Sequence, residues 1–354
     1  MSRFLSEKYK ALTPYTPGEQ PKERKYIKLN TNESPFPPSK RAVEYAARAS
    51  ESLELYSDPE IKRLTSKIAE LYGVSPECVI CTNGSDEVLN FAFMAFCGGE
   101  RGAAFPNITY GFYSVFASLN GVPYEEIPLD NGFNIKLEDY IGKNNTIFIA
   151  NPNAPTGIAL SLEDIEKIVK SNPDNIVVID EAYVDFGAES AVGLTKKYDN
   201  LLVTQTFSKS RSMAGARLGF GIGSPALIAD LNMIRYSTNP YNVNSMTMAA
   251  ALGVLEDEEY TKENCRKIIQ NREYAKNELN KLGFSMTDSR ANFLFAKHEK
   301  IGGGELYWKL RERGILVRHW NKPIIADYNR ITVGSMEEMQ ALVAAVKDIL
   351  EEEK

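Results

Sequence analysis

Histidine is nearly missing from this 354-residue chain, which has only His298 and His319. With so few, a histidine-centred metal site or a Ser-His-Asp triad is all but excluded on inventory, and no metal is expected. Four cysteines in a chain this long do not make a disulfide framework. Cys78 and Cys81 have C-x-x-C spacing but flank the strand-like pair Val79-Ile80, with no second cysteine pair and no histidine nearby. Buried apolar cysteine is the better expectation for them. No apolar run approaches the roughly 20 residues that cross a bilayer. The polar stretch Met1 to Lys10 lacks the apolar segment of a secretory leader, so a cytoplasmic protein without membrane contact is expected. Positive charge is not in excess either: the formal net charge of -6 gives no electrostatic case for nucleic acid or an anionic membrane as partner. Chemistry must therefore run on Lys, Tyr, Asp, Arg or a borrowed cofactor.

The chain is longer than one typical domain, so a large domain with a smaller companion is expected. Residues 1–30 mix charge with Pro and Gly and read as an extended arm packed onto a body. Helical patterns follow at Ser39 to Ser50, with apolar positions Val43 and Ala46-Ala47, and from Asp58-Pro59 to Gly73. From Val79 onward, short apolar runs (Ala103 to Phe105, Thr146 to Ala150, Ile176 to Ile179, Leu201 to Thr206) alternate with helix-like stretches. That alternation predicts an α/β large domain over residues 31–244, with a mostly parallel sheet covered by helices. From about residue 245 a long charged helix, Glu256 to Leu282, and mixed strands and helices predict a smaller α+β domain over 245–354, ending in a helix that runs to the C-terminus. There is no internal repeat, low-complexity tract or flexible linker.

In parallel sheets ligands bind beyond the carboxyl ends of the strands, so the turns there carry the functional expectations. Asn83-Gly84-Ser85-Asp86-Glu87 opens a helix whose free N–H groups could seat an anion at Ser85 and Asp86. The alternative is ordinary capping, and the acidic side chains would have to point away from a phosphate. Asn151 to Gly157, with two prolines, is either a plain turn or a rigid holder for an amide. Asp180, ending an apolar strand, is a helix cap or the partner of a cation, since a buried carboxylate is costly alone. Lys209 lies in the turn after the next strand, in Thr206-Phe207-Ser208-Lys209, with Arg217 beyond it. One ligand accounts for all of them: an aldehyde for Lys209, a protonated ring nitrogen for Asp180, and a phosphate for the helix start, Thr206, Ser208 and Arg217. Pyridoxal phosphate has these three groups.

The stretch Thr206 to Gly215, TFSKSRSMAG, resembles the cofactor-attachment signature of the class II branch of the pyridoxal-phosphate aminotransferases, which have the aspartate aminotransferase fold. Pro14-Tyr15, Asn30-Thr31-Asn32-Glu33, Tyr56-Ser57-Asp58-Pro59 and Arg330-Ile331-Thr332-Val333-Gly334 extend the likeness along nearly the whole chain and make it most similar to the histidinol-phosphate aminotransferases. The resemblance implies that Lys209 attaches pyridoxal 5'-phosphate and moves the substrate proton. Asp180 would keep the ring nitrogen protonated, Tyr183 would bond the ring hydroxyl, and Tyr110 would stack on the ring. Ser85, Asp86, Thr206, Ser208 and Arg217 would surround the phosphate. Tyr56 would reach that phosphate from a neighbouring subunit, which implies a homodimer with shared sites. The family turn has Asn before Pro-Thr-Gly where this chain has Ala154, so Asn153 is the substitute candidate for the ring hydroxyl.

Arg318 and Arg330 resemble residues that receive the substrate's anionic end, and a guanidinium fork suits phosphate or carboxylate alike. Tyr15 would close over the substrate. The expected reaction is transamination between L-histidinol phosphate and 2-oxoglutarate, with glutamate as product. An aromatic amino acid aminotransferase and a threonine-phosphate decarboxylase share the cofactor residues and stay open as alternatives. A non-catalytic regulator on this scaffold would need an added DNA-binding domain, for which neither terminus leaves room.

Overall fold

The computed structural model describes residues 2–99 and 101–352. Seven strands form the large sheet, in the order Val79–Thr82, Gly219–Ile222, Leu201–Thr206, Val177–Asp180, Thr146–Ala150, Ala103–Pro106 and Tyr124–Ile127. The last five are mutually parallel, and Gly219–Ile222 runs antiparallel to both of its neighbours. The central strands are buried along their whole length, as expected of a sheet covered on both faces. Two of the strands were not expected. Gly219–Ile222 has two glycines in four residues, and Tyr124–Ile127 is an exposed edge strand carrying Glu125 and Glu126, so neither reads as a strand.

Ser39 caps the helix Lys40–Ala49 through Ala42, as the pattern predicts, but Val43 is 56% exposed. The buried contacts of this helix run instead through Ala42, which joins the large-sheet core together with residues of the helix Ser245–Leu255. The next helix starts at Lys62, not at Pro59: the Asp58 carboxylate accepts from the N–H groups of Glu60 and Lys62, and Ile61 takes a left-handed conformation at φ 54°.

The smaller body holds a four-stranded antiparallel sheet, in the order Arg318–His319, Asn329–Thr332, Phe293–His298 and Phe284–Met286. Its apolar core joins Leu29, Ala154, Tyr183 and Phe186 to residues running from Cys265, inside the helix Glu258–Lys281, to Ile349 in the helix Met336–Glu352. Ala250, Ala251, Val254 and Leu255, just past the expected division at residue 245, pack in the large-sheet core. The expected last two residues of the C-terminal helix lie outside the described residues. The arm is joined to the smaller body by a parallel pairing of Ile27–Lys28 with Ile315–Leu316 and by Arg24, which donates to the carbonyls of Arg311 and Glu312 at 2.6 and 2.7 Å. All four cysteines are free; Cys78 is half-buried and the other three are buried. No helix among the described residues is long and apolar enough to cross a membrane.

Candidate active site

The carboxyl ends of the parallel strands open into a cavity of about 400 Å³ with Ala150, Asp180 and Thr206 in its wall. Its anion-seeking end is the start of the helix Ser85–Phe96, whose first N–H groups have no partner inside the helix. Gly84 precedes it at φ +82°, and a Cβ there would lie 2.6 Å from Arg217. A Cβ at Gly219 would lie 2.1 Å from the Ser85 nitrogen, so glycine at both positions keeps backbone, guanidinium and helix start together. The Thr206 and Ser208 hydroxyls, 3.0 Å apart, complete this end.

Asp86 departs from expectation. Its carboxylate turns into the cavity wall, accepting from the Tyr110 hydroxyl at 2.7 Å and from Arg217 at 3.2 Å. Two donors within reach hold it there. Glu87 does point away, accepting from the Asn83 N–H and the Asn242 amide. An anion at the helix start would compete with Asp86 for Arg217.

Asp180 lies in the cavity wall, buried at the end of Val177–Asp180. Burial pushes its carboxyl up to about 6, against hydrogen bonds from Tyr113 at 3.1 Å and Thr204 at 3.3 Å. Tyr113 and Thr204 were not singled out in the sequence: one looks like a helix core residue, the other like strand interior. Opposite, Lys209 donates to the Thr31 carbonyl at 3.2 Å and sits 5.7 Å from the centre of the Tyr183 ring. Burial, then the charge of Arg330, lowers its amine to about 8. Tyr183 is buried edge-on against Phe293, and its hydroxyl accepts from the Asn32 amide at 3.0 Å. Asn32 is held in a left-handed conformation (φ 57°) by bonds to Thr332 and Asn292. The Asn30 to Glu33 motif thus fixes the tyrosine across the junction of the two bodies.

The Asn153 side chain, expected at the ring hydroxyl, is engaged elsewhere. Its oxygen accepts from the Thr109 hydroxyl at 2.8 Å, and its amide donates to the Ile108 carbonyl at 2.9 Å and to Thr156 at 3.1 Å. With its hydrogen-bonding groups satisfied by these partners, it is absent from the lining of this cavity and of the one beside it, where Ala154 forms the wall instead. Asn32 is the amide that meets Tyr183.

A second cavity, of about 390 Å³, shares Thr31, Tyr110, Ala154, Tyr183 and Lys209 with the first. Its lining carries Lys209, Arg318, Lys322 and Arg330 against one acid, Glu126, so it favours an anion. Arg330 donates to the Asn30 carbonyl at 2.9 Å, while its Nε is buried with no hydrogen-bond partner among the described residues. Arg318 is partly engaged elsewhere: its terminal nitrogens donate to the carbonyls of Pro17 and Thr16 at 3.1 and 3.0 Å, clasping the arm. Both guanidiniums lie over the ring of Trp320, not anticipated, at 5.5 Å for Arg318 and 5.4 Å for Arg330. Tyr15 stacks on Phe112 at 4.4 Å in the same lining, so the arm covers this cavity. Tyr56 joins neither cavity: it is 84% exposed and stacks on Tyr241.

An amine made more nucleophilic by burial, a basic buried carboxyl, an anion seat and a second cationic chamber on the amine's other side suit covalent capture of an aldehyde followed by proton transfer. The family model described as aminotransferase class I and II matches residues 24–346. The chain is 49% identical over 352 residues to the histidinol-phosphate aminotransferase of Brachyspira hyodysenteriae, covering 99% of each chain. It is also 49% identical over 353 residues to that of Marinomonas sp., covering 99% of this chain and 100% of the relative. Among solved structures, the histidinol-phosphate aminotransferase from Sinorhizobium meliloti, in complex with pyridoxal-5'-phosphate, superposes with a TM-score of 0.85 at 24% identity, covering 94% of this chain and 93% of that one.

Proposed function

The chain belongs to the class I and II aminotransferase family, and from that membership we propose that it transfers the amino group of L-histidinol phosphate to 2-oxoglutarate, giving imidazole acetol phosphate and glutamate in histidine biosynthesis. Pyridoxal phosphate, when bound, supplies an aldehyde that takes up the amino group and a pyridinium ring that accepts the electron pair released at the substrate carbon. The cavity fits it: the glycine-lined helix start, Thr206, Ser208 and Arg217 would hold the phosphate, and Asp180 would hold a proton on the ring nitrogen. Tyr183, oriented by Asn32, would bond the ring hydroxyl, with Tyr110 against the ring. Lys209 would carry the cofactor and, once displaced, move the proton from the substrate carbon. The exposure of Tyr56 leaves it open to reach a neighbouring subunit's phosphate in a homodimer, and we place this biosynthetic enzyme in the cytoplasm.

The observation that carries the substrate assignment is the buried, unpartnered Nε of Arg330 in the chamber that meets Lys209. A guanidinium with free donors, beside Arg318 and Lys322, suits a doubly charged phosphate in one half-reaction and a carboxylate in the other. Purified protein given L-histidinol phosphate and 2-oxoglutarate is expected to release glutamate. Turnover of aromatic amino acids in place of histidinol phosphate would refute the assignment.

The lowered Lys209 amine gives a pH dependence. Below its titration point the group is an ammonium without a lone pair; above it, the free amine attacks an aldehyde. The rate at which cofactor-free protein is labelled at Lys209 by pyridoxal phosphate, trapped with borohydride, is expected to rise with pH through a midpoint near 8. A midpoint near the ordinary lysine value of about 10.4 would contradict the enclosed amine.

A further inference from the structure

Behind the cavity, on the far side of the strand ends, runs a chain of hydrogen bonds in which neither cavity takes part. Glu181, the first residue past the strand Val177–Asp180, is absent from the lining of the cavity that Asp180 enters. Its carboxylate accepts from the Ser190 hydroxyl at 2.6 Å, the Ala191 N–H at 2.5 Å and the Gln205 amide at 2.8 Å. The Gln205 oxygen accepts from the Tyr72 hydroxyl at 2.5 Å, and that hydroxyl oxygen accepts from Arg211 at 3.2 Å. The other arm of the Arg211 guanidinium faces Asp185 at 3.5 Å, and Asp185 also accepts from the Ser210 hydroxyl. The guanidinium is only 7% exposed and lies over the rings of Phe207 and Phe220, at 5.1 and 5.7 Å, which limits its freedom to swing.

The ends of this chain matter. Glu181 follows Asp180 directly, Ser210 follows Lys209 directly, and Asp185 lies two residues after Tyr183. Each of the three residues assigned to the cofactor therefore has a neighbour in its own backbone tied to the same chain. Resting on that assignment, we infer that Glu181, Gln205, Tyr72, Arg211, Asp185 and Ser210 act as one positioning network, which sets the mutual distances of Asp180, Tyr183 and Lys209 from behind. Buried ion pairs add little net stability over an apolar replacement of the same shape. What a run of directional bonds adds is geometry, and a site misplaced by about 1 Å loses on the order of 10²-fold in rate. Tyr72 is the keystone: its single hydroxyl joins the Gln205–Glu181 half to the Arg211–Asp185–Ser210 half.

The test is Tyr72→Phe in the cofactor-loaded enzyme, with Arg211→Lys and Arg211→Met beside it. Phenylalanine keeps the ring that packs on Phe220 and removes only the link. Expected for Tyr72→Phe are a fall in kcat of about tenfold or more, KM for both substrates within about twofold of the parent, and a displaced pH midpoint for the visible absorbance of the lysine-bound cofactor. Arg211→Lys should recover part of the loss shown by Arg211→Met. If Arg211→Met fails to fold, Tyr72→Phe still decides. A Tyr72→Phe protein with parental kcat and parental absorbance midpoint overturns the inference, and so does one that melts earlier but is otherwise parental, since that marks a purely structural bond. A parent protein without the visible band would overturn the cofactor assignment and this inference with it.

Discussion

Lys209→Ala is expected to lower glutamate formation by on the order of 10⁴-fold, the upper end of what one positioned proton-transferring group contributes. No neighbour replaces it. Among the cavity's residues, the other cations are Arg217 in the first chamber and Arg318, Lys322 and Arg330 in the second. Arginines hold their protons too tightly to act as bases near neutral pH, and the Lys322 amine donates to the Asn107 carbonyl at 2.7 Å. The visible band of lysine-bound cofactor should vanish, and borohydride should no longer fix the cofactor to the protein. Folding should not suffer. An amine whose proton affinity is lowered by burial destabilises the folded state wherever it is charged, so the cofactor-free variant should melt at or above the cofactor-free parent. Retention of turnover within tenfold of the parent would remove Lys209 from the mechanism.

The second large effect is expected at Arg330. Arg330→Gln removes the buried fork while keeping a polar group of similar reach. Loss of one partner from a buried, hydrogen-bonded charge pair costs about 2–5 kcal/mol, which corresponds to about 30- to 5,000-fold in kcat/KM. The loss should be shared by L-histidinol phosphate and by glutamate, because one guanidinium serves both anions. Arg330→Lys should restore little, since an ammonium cannot present two parallel donors. The cofactor band should survive, as Arg330 lines only the second chamber. The labelling midpoint of Lys209 should move up, because the charge of Arg330 is the second cause of its depression, after burial. An Arg330→Gln protein with parental kcat/KM for both substrates would place the anion elsewhere.

The chemistry was legible where it follows strand ends. Asp180, Thr206 and Lys209 each stand at or just after the carboxyl end of an apolar run, and the structure brings all three into one cavity. Residues that orient a site residue from elsewhere in the chain were not legible. Tyr113 has the spacing of a core helix residue, and Asn32 acts on Tyr183 from 151 positions away. The adjacency of Asn153 to Ala154 in sequence says nothing of side-chain direction in a tight turn, and here the amide turns inward onto Ile108 and Thr156. Asp86 was expected to point away on charge alone. The sequence does not reveal that Tyr110, 24 positions on, donates to its carboxylate. The helix Ser245–Leu255 is apolar nearly all round, and only packing tells which core it joins.

The most direct test of the substrate assignment is the ratio of kcat/KM for L-histidinol phosphate to that for L-histidinol, measured with 2-oxoglutarate as acceptor on the same protein. A chamber with Arg330, Arg318 and Lys322 in its wall and a buried donor left unpaired predicts a ratio of about 10³ or more in favour of the phosphate, since a site built around a polar group rejects the analogue that lacks it. Glutamate should form in step with imidazole acetol phosphate, with no carbon dioxide released from threonine phosphate. A ratio near one, or faster turnover of phenylalanine or tyrosine than of histidinol phosphate, would contradict the account.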